Sequence, residues 1–516
     1  MACSVRGAPI SAHAGGARDK LPFPVRISGL CRATAVLVLA GLTSACLVGP
    51  DYARPSVETP LNFKEARTVP PKGWTAIVPN DAAPRGAWWS IFHDPILDRL
   101  LRLVDVDNQS LRQALSAYEQ ARAVVQQARA QLFPTVIGAP SLRRSGSGQD
   151  ARTSLTLQGS ASWELDLFGR IRRGIESSTA SAQASAANLA LVRLTIQSEL
   201  ATNYFQMRYQ ESLQRLLAET IAAYRKSLQI AQNQYAAGVA ARSDVITAET
   251  QLQTTQAMAI AVELRRATFA HAIAILTGRP PSEVSLPQGQ LAPRVPSLPV
   301  SVPSALLQRR PDIAQAERLV QAQSAQIGVA VAAFYPSVNL SASGGIVGDP
   351  TANFLATENQ FWSVTGAATE VLFDGGARSA AVQAKRAAYD GAVANYRQSV
   401  MTAFREVEDG LVGARILAQQ QIVQQAAATL ASRAVEIALN EYRAGTQNYT
   451  TVVTAQAIEL NNRIALLQIQ LTRFTNEVGL IRALGGGWDE RSLPTQETLV
   501  SEQLPIDRGQ ALRTDE

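Results

Sequence analysis

The sequence contains little cysteine and few aromatic residues, and it lacks the motifs that bind nucleotides or metals. Aromatic residues make up 6% of the 516 residues. No Gly-rich loop ends in Lys-Ser or Lys-Thr, and the three histidines are scattered along the chain. The cysteines are Cys3, Cys31 and Cys46. We therefore expect no enzyme, no cofactor and no metal site, and any energy must come from a partner protein.

The charge balance gives no electrostatic reason to expect nucleic-acid binding. The formal net charge is +6, but residues 1–45 contribute +4 of it. Without them 43 basic and 41 acidic residues remain, a net charge of +2. A balance this close to neutral predicts no broad basic surface.

The N-terminus has the pattern of a cleaved secretory signal peptide at residues 1–45. Arg32 precedes an apolar run at 33–42, and small residues at 43–45 precede Cys46. The run is too short to cross a bilayer. The end of this segment resembles a bacterial lipobox, although Thr43 replaces the usual leucine, and it implies a covalent lipid on Cys46. A plain secretory signal with a chance cysteine is the alternative.

An internal repeat organises the rest of the chain. Over residues 230–248, 9 of 19 positions are identical to those 207 residues further on, and residues 130–136 match residues 202 positions later. Matches that run in order indicate a duplication. The predicted segments after the signal peptide are an extended segment 46–87, a first repeat 88–285, a second repeat 300–488 and a polar, loosely ordered tail 489–516.

Each repeat contains a long stretch without helix breakers. Proline is absent from residues 141–279 and 351–493, and residues 175–237 contain no glycine either. Such a stretch permits a helix of roughly 95 Å, which must pack against other long helices. Gly238 and Gly445 end these stretches, where glycine suits a helix cap that reverses the chain. The returning helices should end near Leu276 and Leu484.

Polar and apolar residues alternate in two regions, which predicts β-strands. A sheet with one face on a soluble core gives the same alternation, but here no other core is predicted nearby. Polar, Gly-containing loops are expected at 143–152 and 347–360. The predicted strands are 135–145, 154–167, 337–346 and 361–368, in hairpins at about 135–167 and 337–373.

The strands are the segments that could cross a membrane, because residues 47–516 contain no apolar run of transmembrane-helix length. Backbone groups in lipid must all be paired, so such strands must close into a barrel. Four strands are too few, and two, three or four copies would give about 8, 12 or 16 strands. The sequence therefore predicts an α+β membrane protein that closes by oligomerisation.

Short motifs throughout the mature chain resemble those of the TolC-type outer membrane factors, in their NodT-like lipoprotein branch. They follow the family order from near Cys46 to the end of the second repeat. The motifs are Val48-Gly-Pro-Asp-Tyr52, Trp88 to Leu97, Gln131-Leu-Phe-Pro134, Trp163 to Arg170, Arg309-Arg-Pro-Asp-Ile313, Gln326-Ile-Gly-Val329, Leu372-Phe-Asp-Gly-Gly376 and Ala483 to Trp488.

The resemblance implies a homotrimer. Four strands per chain would make a 12-stranded β-barrel in the outer membrane, continuous with a long α-helical barrel in the periplasm. The trimer would be lipid-anchored and would contact outer membrane lipids. It would passively conduct substrates from an inner-membrane pump of the resistance–nodulation–division type through a periplasmic adaptor. The sequence does not identify the cargo.

The resemblance also places a gate at the periplasmic tips of the helical hairpins. Asp244 and Glu249 are candidates for a cation-attracting ring, although Asp244 could instead cap the returning helix. Arg242 and Tyr449 could lock neighbouring hairpins or contact the adaptor. Many relatives have an acidic residue where Thr454 stands. The candidate gate and adaptor-contact residues are Gly238, Arg242, Asp244, Glu249, Gly445 and Tyr449.

Trp163 and Trp362 lie on predicted strands, where an aromatic girdle at the membrane interface is one interpretation and inward packing is another.

Two other classes of protein could share some of the features described above. A periplasmic adaptor lipoprotein has one long helical hairpin, whereas this chain has two. A coiled-coil protein without a pore would not need the alternating strands.

Overall fold

The computed structural model describes residues 47–60, 63–65, 87–147, 150–296, 308–350 and 353–501. They belong to the unit Leu47–Glu516, whereas the other unit, Met1–Cys46, lies outside the described residues. The predicted signal peptide and lipidation site at Cys46 therefore stay predictions. Among the described residues no helix is both long enough and apolar enough to cross a membrane.

The two halves of the chain repeat one order of elements. The first half contains α1 (Pro95–Asp107), α2 (Gln109–Ala130), β1 (Thr135–Ser147), β2 (Asp150–Leu165), α3 (Arg170–Ala236) and α4 (Arg242–Leu276). The second half contains α5 (Pro311–Ala332), β3 (Ser337–Gly348), β4 (Gln360–Thr369), α6 (Ala377–Arg443), α7 (Tyr449–Ala483) and the short α8 (Gln496–Ser501). Short 3-10 turns lie at Trp88–Phe92, Pro281–Glu283, Thr357–Asn359 and Glu490–Ser492.

Corresponding helices have the same lengths. Helices α2 and α5 have 22 residues each, α3 and α6 have 67, and α4 and α7 have 35. The breaker-free stretch 175–237 falls almost entirely within α3, as predicted. Helix α4 ends at Leu276, and α7 ends one residue before Leu484.

The four strands form one antiparallel sheet in the order β1-β2-β3-β4. The pairing of β2 with β3 joins the two predicted hairpins, with Leu157 opposite Ile346. Within the described residues, the outer edges of β1 and β4 have no strand partner. The sheet therefore ends in two edges that can accept further strands.

The register places apolar side chains on one face of the sheet and small polar ones on the other. Trp163 lies opposite Leu340 on the apolar face. On the other face Ser343 lies between Ser160 and Ser363, and the Ser343 and Ser363 hydroxyls are 2.9 Å apart. Since alternate residues point to opposite faces, this register confirms the alternation seen in the sequence.

The predicted loop at 143–152 is wrong for most of its length. Arg143 pairs with Ser154, and Ser145 pairs with Arg152, so both strands extend almost to the turn. Backbone pairing does not depend on apolar side chains, and Arg143, Ser145 and Arg152 are exposed. The second loop is closer to expectation, since β3 ends at Gly348 and β4 begins at Gln360.

The main apolar core lies where α3 meets α1, α4 and α7. Phe205 of α3 stacks on Phe474 of α7 with ring centroids 4.7 Å apart. Asp94 caps α1 by accepting from the amides of Ile96 and Leu97. Its other carboxylate oxygen accepts from the Tyr204 hydroxyl at 2.6 Å, which ties the cap to the core.

The N-terminal segment begins at the junction between sheet and helices. The Val48 amide donates to the Phe168 carbonyl at 3.4 Å, just before α3 begins. Arg173 is 2% exposed and donates to Asp51 at 2.8 Å. Further along, the Lys64 amide donates to Glu408 on α6 at 2.7 Å. These contacts tie the segment that follows Cys46 to both halves of the chain.

The prediction of a loosely ordered tail is wrong for residues 489–501. Glu490 accepts from Arg318 at 2.9 Å, and the Pro494 carbonyl accepts from Gln183 at 3.0 Å. Leu499 is fully buried against Val125 and Ala182. One apolar residue in a polar stretch is a weak sequence signal, which is why composition alone failed here. Residues 502–516 lie outside the described part of the chain.

Candidate functional site

The first helical hairpin reverses at Gly238, between α3 and α4. Gly238 has φ of 76°, and its amide donates to the Tyr235 carbonyl at 2.9 Å. The next amide, of Val239, donates to the Gln234 carbonyl at 2.9 Å. These two bonds satisfy carbonyls at the end of α3 and require a left-handed residue, which favours glycine.

The second hairpin reverses in the same way at Gly445, between α6 and α7. Gly445 has φ of 72°, and the amide of Thr446 donates to the Glu441 carbonyl at 3.0 Å. Asn448 caps α7 by accepting from the Thr451 amide at 3.2 Å. Both tips therefore have the turn that the glycines predicted.

A buried aromatic pair joins the two hairpins near their tips. Tyr442 of α6 and Tyr449 of α7 meet edge to face, with ring centroids 5.1 Å apart. They are 3% and 2% exposed, and they pack with Ala231 of α3 and Ala248 of α4. The Tyr442 hydroxyl donates to Oδ2 of Asp244 on α4 at 3.4 Å. We call Tyr442, Tyr449 and Asp244 the tip cluster.

Polar contacts between α3 and α7 continue away from the tips. The side-chain amide of Gln456 on α7 donates to the Ser227 hydroxyl at 2.8 Å, and the backbone carbonyl of Gln456 accepts from the Tyr224 hydroxyl at 3.3 Å. Further along, Arg463 pairs with Glu219 at 2.9 Å, where both side chains are exposed. An exposed pair adds little stability, so the buried Gln456 contacts carry more of this interface.

The surroundings of the tip cluster keep its tyrosines neutral. Burial, followed by the negative charge of Asp244 and the hydrogen bond to it, raises the pKa of Tyr442 to about 12. Burial also raises the pKa of Tyr449, and the neighbouring Tyr442 adds to this effect. Both hydroxyls therefore remain protonated at physiological pH, and Tyr442 can act as a donor.

The structure places the predicted tip residues in two different environments. Arg242 is the first residue of α4, and both it and Glu249 are exposed. Asp244 does not cap α4, because Ala241 occupies the N-cap position and no side-chain hydrogen bond caps the helix. Tyr449 is buried between the hairpins and presents no surface on this chain for an adaptor to contact.

Tyr442 is the tip residue that sequence reasoning missed. It lies in the repeated segment, where its counterpart in the first repeat is Tyr235. Tyr235 is 48% exposed, whereas Tyr442 is buried. The matched tyrosines were a usable signal, but sequence alone did not indicate that only the second would face Asp244.

The two strand tryptophans lie on the apolar face at different heights. Trp163 is near the helix end of β2, 38% exposed, and its indole donates to the Leu132 carbonyl at 2.9 Å. Trp362 is 81% exposed and lies opposite Gly344, nearer the loop end of the sheet. A side chain that faces a membrane must be exposed on the apolar face of the sheet, and both tryptophans meet this condition.

No group of His, Cys, Asp or Glu side chains that could hold a metal ion occurs in the part of the chain that the structure describes. The candidate site is built from other features. It consists of two glycine-ended hairpins, the tip cluster that joins them and a sheet with open edges.

Comparison with known proteins identifies the architecture. The sequence profile of the outer membrane efflux protein family matches residues 100–279 and 302–486. The toluene efflux pump outer membrane protein TtgC of Pseudomonas putida is 29% identical over 468 residues, which cover 89% of this chain and 96% of TtgC.

Two solved outer membrane channels share the fold. The channel OprN superimposes with a TM-score of 0.79 at 28% identity, covering 86% of this chain and all of the other. The open state of the Neisseria gonorrhoeae channel MtrE superimposes with a TM-score of 0.75 at 26% identity, covering 86% and 99%.

Proposed function

This chain belongs to the outer membrane efflux protein family, and we propose that it is the passive exit duct of a tripartite efflux system. Its place in the outer membrane and its part in efflux follow from the family. In the proposal, an inner-membrane pump supplies the energy and selects the cargo. A periplasmic adaptor joins that pump to the duct, which opens and closes but performs no chemistry.

The observation that carries this proposal is the four-stranded sheet, which has one apolar face and, among the described residues, two edges without a strand partner. Unpaired backbone groups cost several kcal/mol each in lipid, so the edges need partners. The described part of one chain contains no further strand, but copies can join β4 of one to β1 of the next. Three copies would give a 12-stranded barrel, with the apolar face toward lipid and the serine-rich face toward the lumen.

The long helices would continue this barrel into the periplasm. Each of α3 and α6 follows a strand hairpin and would extend roughly 100 Å at about 1.5 Å per residue. Together with α4 and α7 they give two hairpins per chain, or about six in a trimer. The equal lengths of corresponding helices support an origin by internal duplication.

The tip cluster is our candidate for the contact that holds the duct closed at rest. It joins the two hairpins of one chain through the Tyr442–Asp244 bond and through the packing of Tyr442 and Tyr449 with Ala231 and Ala248. Opening would separate the hairpins and break these contacts. The exposed Arg242 and Glu249 remain candidates for contact with the adaptor or for an acidic ring, whereas Tyr449 serves the internal lock.

A lipid on Cys46 would enter the membrane beside the sheet. The next residues, Leu47 and Val48, lie at the junction of β2 and α3, where Val48 bonds the Phe168 carbonyl. A barrel in the bilayer would have its periplasmic rim at this level. The lipid and the barrel would therefore reach the same leaflet, with Trp163 and Trp362 on the membrane-facing surface.

Paired arginine substitutions on β4 test the orientation of the sheet. Val364 lies on the apolar face and Thr365 on the polar face, and both are exposed. In a membrane barrel, Val364→Arg places a charge in lipid at a cost of about 2–4 kcal/mol near the midplane, whereas Thr365→Arg faces water. Each variant is expressed in a strain that lacks the native gene.

The expected result is an unheated trimer band in the outer membrane fraction for Thr365→Arg and its loss for Val364→Arg. Efflux is measured as resistance to the pump's substrates, and it should be lost for Val364→Arg, the variant that loses the trimer band. A periplasmic adaptor or a poreless coiled-coil protein would tolerate both changes and would not fractionate with the outer membrane. That outcome would overturn the proposal.

A further inference from the structure

The polar face of the sheet has small uncharged side chains along most of its length. Ser160 and Ser162 of β2 lie on this face, and Ser341 of β3 lies opposite Ser162. At the helix end the face carries the carboxylate of Glu164, which Arg170 neutralises through two hydrogen bonds of 2.9 and 2.7 Å. The helix end of this face therefore presents no unpaired charge among the described strand residues.

Two arginines lie on the same polar face at the other end of the sheet. Arg143 of β1 is opposite Ser154, and Arg152 of β2 is opposite Ser145. Because alternate residues share a face, both arginines lie on the side of Ser160. Diagonal neighbours of this kind are about 7–8 Å apart. Both arginines are exposed, and neither forms an ion pair within the described part of the chain.

The next residue in the chain, Arg144, lies on the opposite face. It pairs with Thr153, directly after the pair of Leu142 with Leu155 on the apolar side of the sheet. Adjacent arginines thus point to different sides of one strand. This arrangement separates the charge on the polar face from an equal charge on the apolar face.

The hairpin that carries these arginines extends beyond the four-stranded part of the sheet. Strand β4 begins at Gln360, which lies at the level of Ile346, Leu157 and Pro140. Strand β1 continues past this level to Ser147. The arginines therefore lie at the end of the sheet farthest from the long helices. In the proposed duct this end is the outer mouth, and the polar face turns toward the axis.

Acidic residues at this end lie at a turn and in a loop. Asp150 is the first residue of β2, where the hairpin turns, and Asp349 and Glu358 lie in the connection between β3 and β4. Between the hairpin turn and the four-stranded part, the charged residues on the polar face are Arg143 and Arg152.

We propose that Arg143 and Arg152 form an anion-attracting ring around the outer mouth of the duct and favour the exit of negatively charged solutes. This inference rests on the proposed function, because several copies must close the sheet before a ring exists. Three copies would bring about six guanidinium groups to one mouth. Rings of arginine favour anions in pores, and the guanidinium fork matches the two oxygens of a carboxylate. Solutes that carry a carboxylate are therefore the cargo class that this mouth suits.

The spacing and exposure of the two arginines fit a weak site rather than a tight one. Two positive charges on neighbouring positions repel each other, and an anion between them removes that repulsion. Both side chains are exposed, so water and salt screen the attraction. Weak attraction suits conduction, because a solute that enters the mouth must also leave it.

Reversal potentials in planar bilayers test the ring in the full-length protein. The membranes contain many channels and separate two KCl solutions of unequal concentration, kept at or below ~0.1 M, where the screening length is about 10 Å or more. Arg143→Gln should lower the chloride-to-potassium permeability ratio about twofold, and adding Arg152→Gln should lower it further. Charges elsewhere in the duct affect every variant equally, so the comparison isolates the mouth.

The matched control is Arg144→Gln, which removes the same charge from the adjacent residue on the other face. It should leave the permeability ratio of the wild type unchanged. An equal shift for Arg143→Gln and Arg144→Gln would overturn the ring, and so would an unchanged ratio in the double variant. Arg143→Lys keeps the charge and should keep the wild-type ratio. A shift as large as that of Arg143→Gln would show that charge is not the cause.

The same recordings separate failure of the ring from failure of the proposed function. If the wild type and the double variant both conduct with the same permeability ratio, the ring is wrong and the duct remains. If folded wild-type protein and all variants give no conductance, both the ring and the proposed duct are wrong.

Discussion

The hydroxyl of Tyr442 donates to Oδ2 of Asp244 across the two helical hairpins, at 3.4 Å, although 198 residues separate them in the chain. Tyr442 also contacts the ring of Tyr449 on its own hairpin. This small cluster lies near the tips, where a local change could alter how the two hairpins are held together. The first two predictions concern these tips.

Tyr442→Phe should make the duct leak at rest. The variant keeps the ring contact but removes the donor to Asp244, a loss of about 1 kcal/mol that shifts the closed-to-open ratio roughly fivefold. Cells should become more sensitive to a large antibiotic that normally fails to cross the outer membrane. The matched control, Tyr235→Phe, changes the exposed counterpart in the first hairpin and should have no effect. If cells with either variant were equally sensitive to the antibiotic, the tip cluster would not be part of the gate.

Gly238→Ala and Gly445→Ala should each lower stability by about 1 kcal/mol. Both positions have positive φ, and no neighbouring atom would meet an added Cβ, so the cost comes from backbone strain alone. Thermal unfolding of the purified protein checks this prediction. Gly174→Ala within α3 is the control, because that site also has open space and should gain stability. A gain of stability in Gly238→Ala and Gly445→Ala as well would contradict the cap geometry assigned to these turns.

Glu477→Gln should stabilise the protein at pH 8 but much less at pH 5. Burial raises the pKa of Glu477 from an ordinary value of 4.5 to about 7, and the charge of Arg473 only partly opposes this. The folded state therefore holds the proton more tightly, and stability falls as pH rises from about 4.5 through 7. Above that pH range, removing the charge should increase the free energy of unfolding by up to about 3 kcal/mol per chain.

Melting temperatures of wild type and Glu477→Gln, measured from pH 5 to pH 8, test this dependence. The exposed Glu199→Gln is the control and should follow the wild-type curve. A wild-type protein that gains stability between pH 5 and pH 7 relative to Glu477→Gln would show that the carboxylate has an unrecognised partner.

Cys46→Ser should abolish labelling by radioactive palmitate while leaving an oligomer in the outer membrane. The cysteine is the acceptor in the predicted lipobox, but the barrel would hold the membrane without it. Labelled cells, fractionated and separated on unheated gels, give both readouts. Label retained on the mature variant would place the lipid elsewhere, and loss of the oligomer would make the lipid necessary for assembly.

The long helices and their turns could be predicted because the signals are local. A stretch at 175–237 without proline or glycine specifies α3, and Gly238 specifies its end through backbone conformation. The strand alternation is equally local, because each single strand contains it. The prediction therefore succeeded where one element contains the whole signal.

Features that depend on distant partners could not be predicted from the sequence. Nothing near Asp244 indicates that Tyr442 will face it, and so its role as a helix cap was an equally reasonable expectation. Leu499 is one apolar residue in a polar tail, and its burial depends on Val125 and Ala182, which lie far away in sequence. Arg143 and Arg152 suggest a loop by composition, but strand pairing continues through them.

Single-channel recording in planar lipid bilayers tests the central claim most directly, because it asks whether purified copies of this chain form a gated pore. The account predicts discrete conductance steps that are small and infrequent for the wild type. It predicts larger or more frequent steps for Tyr442→Phe, with no change for Tyr235→Phe. Absence of any steps from folded wild-type and Tyr442→Phe protein, extracted from the outer membrane, would contradict the claim that this chain forms a duct.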